Sequence, residues 1–167
     1  SSKTVLFISA LDFYKTRLPI KGNVNNAKSL RDGLFSRYQI DELFELYNFE
    51  ATYKNILITL ETLSKTVKPE DKLVVLYSGH GYLDAKSGIG YWIPFDGGLN
   101  EDLKENWISN QDFCAAVAKI NCRHILVLAD SVFGVSGADQ ILPENKIYDD
   151  KYFENIKGKD RKSTRLN

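Results

Sequence analysis

The segment that decides the fold lies at residues 71–81 and reads DKLVVLYSGHG. Its apolar core, Leu73 to Tyr77, has the continuous β-branched and aliphatic character of a strand buried on both faces of a parallel sheet. The strand runs directly into Ser78-Gly79-His80-Gly81. A histidine between two glycines leaves room for another backbone to approach it, and imidazole is the usual side chain for proton transfer near neutral pH. The segment therefore predicts a buried strand that carries a candidate general base at its exit.

Two further apolar runs predict strands of the same kind, at residues 3–11 (KTVLFISAL) and 124–129 (HILVLA). Helical periodicity separates them. Ala27, Leu30 and Leu34 share one helix stripe, and a second stripe ends before Pro69 and comprises Ile56, Leu60, Leu63 and Val67. Residues 40–46 alternate weakly, as in a short strand, and residues 88–98 suggest a hairpin or long loop. Ser109 with Asp112 resembles a capping box. The alternation predicts an α/β three-layer sandwich with a mostly parallel sheet flanked by helices.

Composition excludes several classes of function. The chain has 167 residues, 43% of them hydrophobic and 26% charged, which is typical of one folded domain. Its 22 basic and 22 acidic residues balance, so we expect neither a nucleic-acid nor a membrane partner. Two cysteines predict a reducing, cytoplasmic environment. Because the sequence contains no methionine, we expect a piece of a longer protein.

The strand at residues 124–129 is likewise followed by polar residues, in the segment Asp130-Ser-Val132-Phe-Gly. In open parallel sheets, ligands bind at the carboxyl ends of the strands, where this segment meets the His80 segment. Together with residues 22–27 (GNVNNA), 90–96 (GYWIPFD) and 107–110 (WISN), in this order, the two strand ends resemble the caspase and metacaspase superfamily of cysteine endopeptidases. His80 precedes Val132 by 52 positions, close to the spacing of about 50 between the caspase histidine and cysteine.

The resemblance implies specific roles. His80 is the general base and acid, and the nucleophilic cysteine belongs at the position of Val132. The backbone N–H groups of Gly81 and of residue 132 form the oxyanion hole. Asp130 lines the pocket for the side chain that precedes the cut, with Asn26 and Asp12 nearby. These groups favour lysine or arginine there, and the caspase arginine that selects aspartate has no counterpart, since Ile20 lies near its position.

Valine cannot attack a carbonyl, and we expect the chain to be inactive as written. Either Val132 is an inactivating change in a peptidase, or the protein is a natural pseudoprotease that binds a peptide or a partner domain. We expect Cys114 and Cys122 to be packed thiols that do not replace the nucleophile.

Other sites are disfavoured. The segment after Gly81 lacks the third glycine and the helix of a dinucleotide-binding loop, and the spacing of cysteines and histidines does not suit zinc. We expect no cofactor, although calcium could bind the acidic loops.

Two segments are predicted. Residues 1–137 form a core that resembles the large subunit of caspases, and residues 138–167 form a basic linker or the lead-in to a small-subunit part. From Lys151 onward this second segment holds six basic and two acidic residues. The expected partners are a protein or peptide substrate and the small-subunit segment of the same precursor.

Overall fold

A computed structural model describes residues 1–134. The strands are β1 (Thr4–Ala10), β2 (Glu42–Tyr47), β3 (Lys72–Leu83), β4 (Gly90–Trp92), β5 (Ile108–Ser109) and β6 (His124–Gly134). The helices are α1 (Asn23–Arg37), α2 (Tyr53–Thr66) and α3 (Asn110–Ala118), and a single 3₁₀ turn spans Asn48–Glu50. The predicted strands and helices are all present. Residues 135–167, which comprise the last three residues of the predicted core and the whole predicted basic linker, lie outside the described residues.

The six strands form one mixed sheet in which β3 is central. β1 runs parallel to both β2 and β3, and β6 runs parallel to β3 along the opposite edge. β4 returns antiparallel against the last residues of β3, and β5 pairs antiparallel with β4. The sheet is therefore mixed, and the expectation of a mostly parallel sheet is not confirmed as it stood: the three long ladders are parallel and the two short ladders of β4 are antiparallel. The reason is that β3 and β4 are joined by a short connection, which permits a hairpin but not a parallel crossover.

Helices cover both faces of this sheet. On one face, Val5 and Phe7 of β1 pack against the apolar stripe of α2 and against Phe113 of α3. On the other face, Leu6, Ile8 and Ala10 of β1 pack against α1 through Val24 and Ala27. Successive residues of β1 thus enter opposite cores, which explains why its sequence is apolar without alternation.

The stripe predicted for α2 is confirmed, because its four apolar residues are all buried. Thr52 caps the helix by accepting the backbone N–H of Asn55, and Ser109 caps α3 by accepting the N–H of Asp112. The apolar stripe predicted for α1 is only partly confirmed. Ala27 is buried and Leu34 is half-buried against the same core, but Leu30 is 39% exposed.

β6 is not the doubly buried strand that its sequence predicts. Leu126, Val127 and Leu128 are 53%, 38% and 37% exposed, and because they are consecutive, both faces of β6 are only partly covered by the described residues. One edge of the strand pairs with β3, and its other edge has no partner strand within residues 1–134. An apolar run of this kind is buried only when another segment or chain packs against it.

No helix between residues 1 and 134 combines the length and the apolar character needed to span a bilayer.

Candidate active site

His80 lies inside a strand and not at its exit, which corrects the sequence-based expectation. β3 continues to Leu83 because β4 and β6 pair with its final residues on either edge. β1, in contrast, stops at Ala10, which pairs with Ser78. His80 is therefore two residues beyond the carboxyl end of its neighbour, and the space left by β1 is filled by the loop that follows it.

The register of β3 and β6 places the backbone of Val132 directly opposite that of His80. Partner residues in a parallel ladder belong to the same face of the sheet. The same register pairs Asp130 with Ser78 and Phe133 with Gly81. Two of the segments that the sequence analysis singled out are thus neighbours in space.

The imidazole of His80 is buried, with 4% of the residue exposed. Its Nε2 atom lies 2.8 Å from the carbonyl oxygen of Leu18, in the loop after β1. A carbonyl oxygen only accepts hydrogen bonds, so this contact assigns the ring proton to Nε2. Nδ1 then carries the lone pair, and it has no hydrogen-bond partner among the described residues. The ring is therefore oriented by one nitrogen and left with a free basic site on the other.

Burial lowers the pKa of His80 to about 4, because the charged imidazolium is poorly solvated there. The hydrogen bond to Leu18 opposes this shift, whereas the positive charge of Arg17 adds to it. Near neutral pH the ring is therefore uncharged. An uncharged imidazole can accept a proton, as a general base must.

Tyr14 supports the same residue from the loop after β1. Its hydroxyl accepts the backbone N–H of His80, and the two rings lie 4.5 Å apart between centroids. Burial raises the pKa of Tyr14, so the phenol is neutral. The loop is itself held by the side-chain oxygen of Asn48, which accepts the N–H groups of Asp12 and Phe13. Asn48 has φ 50°, a left-handed conformation that asparagine tolerates better than most residues.

Gly79 is required by the closeness of two tyrosines. A Cβ atom at this position would lie 2.6 Å from the hydroxyl of Tyr14 and 3.1 Å from that of Tyr77. Tyr77 uses its hydroxyl to contact the carbonyls of His80 and Ile93 at 3.1 and 3.2 Å. Both tyrosines are thus fixed, and a side chain at position 79 would displace the groups that hold His80.

The polar residues predicted for the substrate pocket differ in accessibility. Asp12 is buried, and one of its carboxylate oxygens accepts the N–H of Val24 at 3.2 Å. Asn26, on the first turn of α1, and Asp130, on β6, are exposed. Ser78 links these elements, since its hydroxyl donates to Asn23 of α1 at 3.1 Å while its backbone pairs with Asp130.

The two cysteines lie on α3 and before β6. Cys114 lies on α3 and is exposed, which corrects the expectation of a packed thiol. Cys122 is half-buried before β6, and its Sγ atom lies 3.1 Å from the carbonyl oxygen of Asp71, at the amino end of β3. Within residues 1–134 there is no cluster of three or more potential metal ligands.

The sequence analysis missed the residues that orient His80. The carbonyl of Leu18 leaves no sequence signal, because every residue carries such a group. Tyr14 and Asn48 sit in or beside a polar loop where their roles depend on its path. Arg17 gave no sequence signal either, because a charged residue in a polar loop is normally exposed and its burial is seen only in the structure.

Comparison with known proteins identifies the family. A family model described as "Metacaspase, peptidase C14 domain" matches residues 3–103, a range that includes His80 and ends before Val132. The crystal structure of protein GSU0716 from Geobacter sulfurreducens is similar in fold, with a TM-score of 0.62 and 17% sequence identity. The similarity covers 77% of this chain and 50% of that one, so the chain spans about half the length of this structure. No curated protein matches the chain.

Proposed function

This chain belongs to the metacaspase, peptidase C14, family, and we propose that it is a His/Cys-type endopeptidase domain disabled by valine at the nucleophile position. The observation that supports the proposal best is the state of His80. Its ring is buried, oriented through Nε2 by the Leu18 carbonyl, and free at Nδ1. The backbone of residue 132 lies opposite. This is the arrangement in which a thiol at position 132 would find a base.

With cysteine at position 132, the reaction proceeds as follows. His80 Nδ1 takes the thiol proton, and the thiolate adds to the scissile carbonyl. The N–H groups of Gly81 and of residue 132 are proposed to stabilise the resulting oxyanion. The C–N bond then breaks as His80 returns the proton to the leaving amine. Water, deprotonated by the same nitrogen, releases the acyl group. The side chain of valine has neither an acidic proton nor a lone pair, so the first step cannot occur.

The proposed preference is for lysine or arginine before the cut. Asp130 is exposed and lies two positions before residue 132, so its carboxylate is available to a cationic side chain. Asn26 is also exposed and offers an amide oxygen. Asp12 contributes less directly, since it is buried and bonded to the N–H of Val24. A change of Asp130 to Asn should therefore weaken binding of arginine more than removal of Asp12.

The decisive experiment restores the nucleophile. We would prepare the full-length precursor with Val132→Cys and Cys114→Ser, so that the exposed thiol of α3 does not react. The protein is incubated with an electrophilic peptide that ends in arginine, and the intact mass is measured. We expect one adduct, absent after His80→Ala and slower with a matched peptide that ends in aspartate.

The competing function is a natural pseudoprotease that binds a peptide or a partner without cleaving it. Failure of the folded Val132→Cys protein to form an adduct would overturn the disabled-peptidase proposal and favour this alternative. The next measurement is then whether the chain with Val132 binds an arginine peptide that lacks the electrophile. Binding would indicate a working peptide site, and no binding would indicate that the site no longer binds peptide.

The proposed partner is the small-subunit segment of the same precursor. Within residues 1–134 one edge of β6 has no partner strand and its faces are partly exposed, which supports this partner. A cavity of about 530 Å³ between α3 and β6 supports it as well, lined by Trp92, Phe113, Cys114, Val117, Val127 and Ala129. An apolar strand edge left open invites pairing with another chain, so a covering segment is expected. The cytoplasmic location and the absence of nucleic-acid, membrane and cofactor partners remain predictions, and calcium binding by the acidic loops remains the alternative to a site without a cofactor.

A further inference from the structure

Arg17 is the largest fully buried side chain of the described residues, with 2% of its surface exposed. Its Nη2 atom donates to the carbonyl oxygen of Gly98 at 2.9 Å, and its guanidinium carbon lies 5.3 Å from the ring centroid of Trp107. Both contacts are with residues more than 80 positions away in sequence. Arg17 immediately precedes Leu18, whose carbonyl holds His80.

Stability does not explain this arginine. A buried charge is costly unless its hydrogen bonds are all made, and Arg17 Nε has no partner among residues 1–134. Burial lowers the pKa of the guanidinium, although Tyr14 and Glu101 oppose the shift. The carbonyl of Gly98 does not depend on Arg17 either, since Trp107 Nε1 also donates to it at 2.8 Å. An apolar side chain of similar length would fill the space at lower cost.

We propose that Arg17 is a positioning residue: it ties the loop that carries the Leu18 carbonyl to the Gly98–Trp107 segment, and so fixes the ring of His80. The inference rests on the proposed role of His80 as the base. The side chain of Leu18 is partly exposed. The position of its carbonyl therefore depends on how firmly the backbone on either side is held. Arg17 on one side is anchored by two contacts to a buried tryptophan and a carbonyl.

The charge of Arg17 adds a second effect. From the loop after β1, Tyr14 and Arg17 approach the imidazole, and from its own strand Tyr77 approaches the His80 backbone. Burial keeps both phenols neutral by raising the pKa of each. In the β6 ladder the partner of His80 is Val132, which does not titrate. Arg17 is therefore the cation that disfavours protonation of His80.

The test is nuclear magnetic resonance of the histidine rings in the chain as it is, with Val132 in place. The chain contains two histidines, His80 and the exposed His124, so His124 serves as an internal reference. Two quantities are measured for His80: the rate of solvent exchange of the Nε2 proton and the midpoint of its titration. Neither requires a nucleophile, so failure of the peptidase proposal and failure of this inference are distinguishable.

We expect Arg17→Met to speed exchange of the His80 Nε2 proton by at least about tenfold and to raise its midpoint by roughly half a unit or more. Lys15→Met, which removes an exposed charge from the same loop, should change neither quantity. Unchanged exchange and midpoint in a folded Arg17→Met protein would overturn the proposal.

Should Arg17→Met not fold, Arg17→Lys provides the second test. It keeps the charge but loses the planar fork, so the midpoint should stay low while the Nε2 proton exchanges faster. Wild-type exchange in Arg17→Lys would equally contradict the positioning role.

Discussion

His80 and Leu18 are joined by a hydrogen bond between the Nε2 atom and the backbone carbonyl, 2.8 Å apart and 62 positions apart in sequence. A carboxylate in the place of this carbonyl would stabilise the imidazolium. A neutral carbonyl orients the ring while adding little to its basicity, so burial dominates and the imidazole stays uncharged at neutral pH. The fold thereby keeps the imidazole unprotonated near neutral pH, at the cost of stability in acid.

The first prediction concerns the pH dependence of the free energy of unfolding. His80 has a pKa of about 4 in the folded chain, below the value of 6.5 expected when unfolded. Between these values the unfolded chain binds more protons, so stability rises with pH across this window and is lost as the pH falls through it. The full contribution of roughly 3 kcal/mol is present above about pH 6.5. Urea unfolding from pH 4 to 7 measures it.

Carboxylates also titrate in this range, so the comparison must be between variants. His80→Gln should flatten the rise between pH 4 and 6.5, because glutamine does not titrate. His124→Gln, the same change at an exposed histidine, is the matched control. If the free energy of unfolding rises equally steeply with pH in the wild type and in His80→Gln, the pKa of His80 is not lowered by folding.

The second prediction is that Gly79→Ala destabilises the fold by about 2–4 kcal/mol, through overpacking against two fixed tyrosine hydroxyls. The matched control is Gly33→Ala in α1, where a Cβ would meet nothing within 4 Å. That change should stabilise the protein by about 0.5–1 kcal/mol, since alanine favours a helix. Chemical unfolding of the two variants checks both signs.

Sequence reasoning succeeded where periodicity reports burial directly. The stripe of α2 and the run of β1 contact cores made by nearby elements, and their patterns predicted both. It failed for the length of β3, because Gly79 and Gly81 are poor strand formers and only pairing with β4 and β6 extends the strand through them. It failed for the exposure of β6, since an apolar run does not reveal what covers it. The residues that contact His80 were not predicted, because they contribute a backbone carbonyl and side chains of a loop.

The third prediction concerns Asn48, which orders the loop that reaches His80. Asn48→Ala removes an acceptor from the N–H groups of Asp12 and Phe13 and places alanine at φ 50°, so we expect a loss of about 3 kcal/mol. Asn48→Gly loses the same hydrogen bonds but tolerates the conformation, and should be about 1 kcal/mol less destabilising than Asn48→Ala. Equal losses in the two variants would show that backbone conformation does not contribute. Thermal and urea unfolding give the comparison.

The last prediction uses the two thiols to detect what covers β6. Cys114 is exposed and lines the cavity beside Val127 and Ala129, whereas Cys122 is half-buried and contacts the carbonyl of Asp71. In the present chain, a thiol reagent such as Ellman's reagent should show one fast phase, abolished by Cys114→Ser, and one slow phase. In the full-length precursor, a segment packed into the cavity should slow the Cys114 phase by tenfold or more, with Cys122 unchanged. Equal reactivity of Cys114 in both proteins would contradict the proposed small-subunit contact, because a thiol under a packed segment is inaccessible to the reagent.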